Sequence, residues 1–146
     1  MNHLEMSKLL SFIAELDGRQ FTAETVNAWV EVLGKYTVEE CFTAVKDHHD
    51  TSAEFLKPGH IALKVKTARR ERLNQLSGPV DVNVLDDHRG PDATVRQFGE
   101  YKQVRQEVSD AVASGIMSRA TYQEYVNGEV PWNVFKQGLN QRRLES

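Results

Sequence analysis

Chemistry requires side chains that can carry a proton, a metal, a phosphate or a nucleophile at suitable spacing, and this 146-residue sequence offers few such groups. Asp47, His48, His49, Asp50 and His60 are the first candidates, because imidazoles and carboxylates are the raw material of a metal site. His48 and His49 are adjacent, however, and project from different faces of a helix, whereas a helical two-histidine site needs them four apart. They read instead as polar residues at a helix C-terminus, where histidine also suits the dipole. Asp81, Asp86, Asp87 and Asp92 could meet a cation but lack the spacing and central glycine of a calcium loop, so a solvated acidic segment is expected. Cys41 is the single cysteine, which excludes an internal disulfide framework and a cysteine-based zinc module and fits a reducing compartment. It falls on an apolar helical stripe and reads as a packing residue. Neither a Walker-type phosphate loop nor a dinucleotide fingerprint nor a nucleophile motif is present. The expectation is a protein with no catalytic residue, no metal and no cofactor.

What remains is electrostatic. The net charge of −3 conceals segregation along the chain. Residues 1–56 carry 4 Lys/Arg against 10 Asp/Glu, and residues 57–76 carry 6 cations against Glu71 alone. Residues 77–95 hold Arg89 against four aspartates, and residues 96–146 are near balance. Segregated charge bears on partners rather than on fold. Lys64, Lys66, Arg69, Arg70 and Arg72 crowd one helix whose other side is apolar, and such a helix can bind a phosphate backbone without reading sequence. An acidic protein surface and plain solvation are the competing readings. No aromatic residue interleaves with these cations, so no single-strand stacking platform is indicated there.

The elements that must carry these residues are helical. Leu4, Leu9, Leu10, Phe12, Ile13 and Leu16 recur at helical spacing before the stop Asp17-Gly18. Thr22 caps a second helix bearing Val26, Trp29, Val30, Leu33 and Tyr36, with an incomplete capping box because Thr25 stands where Glu or Gln belongs. Thr37-Val38-Glu39-Glu40 is a complete box, opening a third helix with Val38, Cys41, Phe42 and Val45 on its apolar face. Pro58 suits the first turn of a fourth, with Ile61, Val65, Ala68 and Leu73 inward. Residues 77–95, where Val80, Val82 and Val84 alternate with polar residues, read as an acidic linker, since a lone strand has no partner in a helical chain. Val95, Phe98, Tyr101, Val104, Val108, Ala111 and Val112 then keep helical spacing to Gly115. Ser118 caps a shorter helix with Tyr122, Tyr125 and Val126, and Pro131 starts a last one with Trp132, Phe135 and Leu139. The expected architecture is all-α: a four-helix N-terminal domain over 1–76, a linker over 77–95, and two or three helices within 96–146. No apolar run approaches the roughly 20 residues that cross a bilayer, and Met1 to Met6 lacks a signal-peptide pattern.

Residues 21–73 carry a resemblance. The run Phe21-Thr22-x-Glu24-x-Val26-x-Ala28-Trp29-x-x-x-Leu33-x-x-Tyr36, then Glu40-x-x-x-Ala44-Val45-x-x-His48, then Ser52 and Pro58-x-x-Ile61, resembles the N-terminal domain of phage-encoded loader/inhibitor proteins of the replicative DnaB-type helicase. Similar stretches occur in proteins of actinobacterial phages and prophages, where the same step precedes an Arg-rich helix like Lys64 to Arg72. The resemblance covers about a third of the chain. It implies a small adaptor in the cytoplasm of a bacterial host. Such an adaptor binds the helicase hexamer, holds it inactive and delivers it to single-stranded DNA, often with an origin-binding protein. The family's C-terminal part contacts the helicase, which makes Tyr122, Tyr125, Trp132 and Phe135 candidate anchors, since a few aromatics carry most of an interface's energy. The C-terminal part here is more aromatic than a disordered tail should be, so it folds either as its own subdomain, with these residues as core, or on binding.

Three expectations follow: a helicase adaptor using Lys64, Lys66, Arg69, Arg70 and Arg72 against DNA or an acidic partner; a nucleic-acid-binding regulator; or a phage inhibitor of another host protein.

Overall fold

The computed structural model describes residues 1–76, 78–80, 93–128 and 130–144. Among the described residues the chain is all-helical, with seven helices and no strand. They are α1 (His3–Asp17), α2 (Ala23–Leu33), α3 (Val38–Thr51), α4 (Pro58–Asn74), α5 (Ala93–Ala113), α6 (Arg119–Asn127) and α7 (Trp132–Leu144). Helix α5 begins at Ala93, so the stretch read as a linker ends earlier than residue 95. The acidic segment Asp81 to Asp92, with its alternating valines, lies outside the described residues, as do the side chains of Val95 and Phe98.

Local hydrogen bonding sets the helix ends. Thr37 Oγ1 accepts from the Glu40 amide while the Glu40 carboxylate accepts from the Thr37 amide, closing the box that the sequence predicts. Thr22 accepts from the Thr25 amide, and Ser118 from the Thr121 amide. Asn2 and Glu5 form a further box at the start of α1. Gly18 ends that helix in the left-handed region at φ 72° and donates its amide to the Ala14 carbonyl. Any L side chain at Gly18 would bear a Cβ penalty there.

The chain forms two compact units, Met1–Ala68 and Arg69–Ser146, and the division falls inside α4, ahead of the sequence-level boundary after residue 76. The first unit buries Met6, Leu9, Leu10 and Ile13 of α1, spaced i, i+3, i+4, i+7, against α2 and α3. Trp29, Leu33, Tyr36, Cys41, Ala44, Val45, Leu56, Ile61 and Val65 complete that core. Leu4, expected inward, lies off this stripe and is 67% exposed, and Leu16 on the last turn is 47% exposed. Arg19 locks the loops of this unit. Its guanidinium pairs with Asp17, donates to the Leu56 carbonyl at 2.9 Å, and lies over the Phe55 ring at 3.9 Å. The second unit packs Val108, Ala111 and Val112 of α5 with Met117, Tyr122, Tyr125, Trp132 and Leu139, and Leu73 and Leu76 join this cluster.

Replacing Gly18 with alanine tests the left-handed cap. No atom lies within 4 Å of the added Cβ, so the loss is backbone strain alone. Chemical denaturation of Gly18→Ala should show about 1–2 kcal/mol less stability, and Gly18→Asn a smaller loss, because asparagine tolerates this region better.

Candidate partner-binding surfaces

Helix α4 begins where Pro58 sacrifices no helical hydrogen bond, and the Lys57 amide donates to His60 Nδ1 at 3.2 Å. Its periodicity points Ile61 and Val65 into the first core. The five cations read from the sequence then separate. Lys64 forms an ion pair with Asp47 of α3. Arg72 donates to the Ala113 carbonyl at 2.7 Å, at the C-terminal end of α5. Arg69 is half-buried, whereas Lys66 and Arg70 are exposed. Leu63, three residues before Lys66 and seven before Arg70, is 66% exposed. Leu63, Lys66 and Arg70 therefore share one stripe of α4, apolar at one end and cationic at the other. Sequence reasoning missed Leu63, although its position two residues from both Ile61 and Val65 places it opposite the buried stripe.

The candidate aromatic anchors come together, but in the interior of the second unit. Tyr122, Tyr125 and Trp132 are buried and Phe135 is partly buried. Tyr125 meets Trp132 edge-on at 5.5 Å and Phe135 at 5.1 Å between centroids, geometries that aromatic pairs prefer. The core reading is the one that this packing matches. The Trp132 indole nitrogen, which needs a partner once buried, donates to Glu107 Oε2 at 2.9 Å, and Lys136 Nζ donates to the same oxygen at 2.9 Å. These two donors, Lys136 foremost, hold the Glu107 carboxyl below the usual carboxylate range.

The histidines serve the loop between α3 and α4. His48 is buried, donates from Nε2 to the Glu54 carbonyl at 2.7 Å and stacks on His60 at 5.0 Å. His49 meets His48 edge-on at 5.9 Å. Among the described residues no three His, Cys, Asp or Glu side chains are grouped to hold a metal ion, and no helix is long and apolar enough to cross a membrane. Cys41 is fully buried in the first core.

Among the described residues, two clefts lie in the second unit. One of about 580 Å³ runs along α5 and α7 past Glu107, Trp132 and Lys136. The other, about 520 Å³, lies against Val80, α5 and α6, and is lined by Tyr101, Arg105, Tyr122 and Gln123. Tyr101, expected on the apolar face of α5, is 37% exposed beside this second cleft, while Val104 and Val108 take the core side. Comparisons with protein-family models, curated proteins and solved structures find no match to this chain.

The Glu107 site has a pH signature. A carboxylate whose folded pKa is depressed adds stability above its unfolded pKa, and that stability is lost as pH falls through the folded value. Thermal unfolding followed by circular dichroism from about pH 7 to about pH 3 should show Glu107→Gln less stable at neutral pH. The difference from the parent protein should close on acidification, below the ordinary range for glutamate.

Proposed function

We propose that this protein is a non-enzymatic helical adaptor that acts by docking α4 on an acidic protein surface, and that its partner is a replicative hexameric helicase of DnaB type. The observation that carries the docking surface is the exposed stripe Leu63, Lys66 and Arg70. A leucine two-thirds exposed in line with two cations suits a protein surface, where an apolar contact is rewarded and carboxylates answer the charges. A phosphate backbone offers nothing to the leucine, and with Lys64 and Arg72 engaged inside their own units the helix has fewer cations with which to displace counterions. The helicase as partner rests on the resemblance of residues 21–73, with the hexamer held inactive and delivered to single-stranded DNA as that family implies. With Tyr122, Tyr125, Trp132 and Phe135 committed to packing, the weight of the contact shifts to α4.

The purified 146-residue chain should co-elute with a purified DnaB-type hexamer on size exclusion. The paired reversal Lys66→Glu and Arg70→Glu should weaken that association at least about ten-fold, because like charges juxtaposed across an interface cost several kcal/mol. Leu63→Ala should weaken it less, and Lys64→Ala least. A folded protein that fails to bind any replicative helicase at micromolar concentration would end the helicase reading. Duplex DNA binding with steep salt dependence, abolished by the same reversal, would replace it with the nucleic-acid-binding regulator.

A further inference from the structure

The cleft formed by Val80, α5 and α6 lies wholly in the second unit and takes no part in the α4 surface. Its volume, about 520 Å³, falls within the roughly 300–1,000 Å³ of clefts that hold small ligands. Tyr101 and Arg105 stand one helical turn apart on α5, so their side chains share a face. Tyr101 is 37% exposed, so part of its ring is open to solvent. Arg105 is exposed and makes neither an ion pair nor a hydrogen bond with the described residues. Across the cleft, buried Tyr122 and half-buried Gln123 of α6 contribute an aromatic wall and an amide that both donates and accepts. Val80 and Val126 close the sides with apolar surface. Arg119, also exposed, precedes Gln123 by one turn of α6, so a cation stands on each flanking helix.

Each component implies one part of a ligand. An open tyrosine ring is a stacking surface for a flat unsaturated ring system. An amide at the cleft wall can pair with the polar edge of such a ring. An arginine one turn from the tyrosine can meet an anion attached to it, and phosphate fits the guanidinium fork best. The neighbouring cleft beside Glu107 has no comparable offer, because its carboxylate is already taken by Trp132 and Lys136. We infer that the α5–α6 cleft is a binding site for a nucleotide unit, an aromatic base carrying a phosphate, with the base on Tyr101 and the phosphate on Arg105. The unit comes either from an unpaired stretch of nucleic acid or from a free mononucleotide.

Fluorescence anisotropy with a labelled oligothymidylate of about 12 nucleotides, a length within the range of single-strand site sizes, tests the site in the intact 146-residue chain, and calorimetry with thymidine monophosphate separates the two sources. The oligonucleotide should bind. Tyr101→Ala should weaken it roughly five-fold or more, the loss expected of one stacked base, while Tyr101→Phe keeps the ring and the binding. Arg105→Ala should weaken it too and flatten the slope of log K against log salt by about 0.7, the release from one single-strand phosphate. Both residues are exposed, so unchanged circular dichroism is expected for each variant. Binding of the monophosphate at the same residues assigns a free-nucleotide pocket, and binding of the oligonucleotide alone assigns single strands. Absence of binding by both probes overturns the inference, as does binding indifferent to Tyr101→Ala. Binding lost only on reversal of Lys66 and Arg70 also overturns it, moves the phosphate contacts to α4, and leaves the helicase test above to be decided separately.

Discussion

One helix, α4, has to serve two hydrophobic cores, and that constraint determines which of its charges face outward. Ile61 and Val65 are committed to the first core, while Leu73 and the following Leu76 are committed to the second. Cations beside the buried positions are drawn into internal work: Lys64 to Asp47, and Arg72 to the carbonyl of Ala113. What is left exposed is the opposite stripe, where Lys66 and Arg70 continue from Leu63. A run of five cations in nine residues suggests a uniformly charged rod. Packing converts it into a short exposed face of mixed apolar and cationic character.

In the second unit the same economy governs the aromatics. Burying Trp132 leaves its indole nitrogen in need of an acceptor, and Glu107 supplies one while also holding Lys136. A buried donor left unsatisfied costs about 1–3 kcal/mol, so this carboxylate is part of what lets the tryptophan go inside. Tyr125 and Phe135 pack against the other sides of the cluster. The second unit thus has its own core, and Tyr101, on the outer side of α5, is left at a cleft with Arg105 instead.

Histidines in the first unit follow from loop closure. His48 gives its Nε2 proton to the Glu54 carbonyl, and His60 takes the Lys57 amide at the start of α4. Together with Arg19, which reaches the Leu56 carbonyl, these side chains satisfy backbone groups that the non-helical stretch from Ser52 to Lys57 would otherwise leave open. Imidazoles that suggest a metal site in the sequence are thereby used as hydrogen-bonding struts.

Most helices and several of their ends are legible in residue type and spacing, because caps and periodicity act within a turn or two; the Asn2–Glu5 box at the start of α1 was missed. Thr22, Thr37, Ser118 and Gly18 are readable from residue type and spacing, and the stripe Leu9, Leu10, Ile13 follows from 3.6-residue periodicity. What each exposed-looking side chain does depends on the packed fold, because the contacts that settle it join distant residues. Lys64 meets Asp47, Arg19 meets Leu56, Trp132 meets Glu107, and Arg72 meets Ala113. Residue types reveal that a lysine can pair or an indole can donate, but not which partner lies within about 3 Å. The same limit hid Leu63 and Tyr101: helical spacing assigns a face, and the packing of the whole unit determines whether that face is covered.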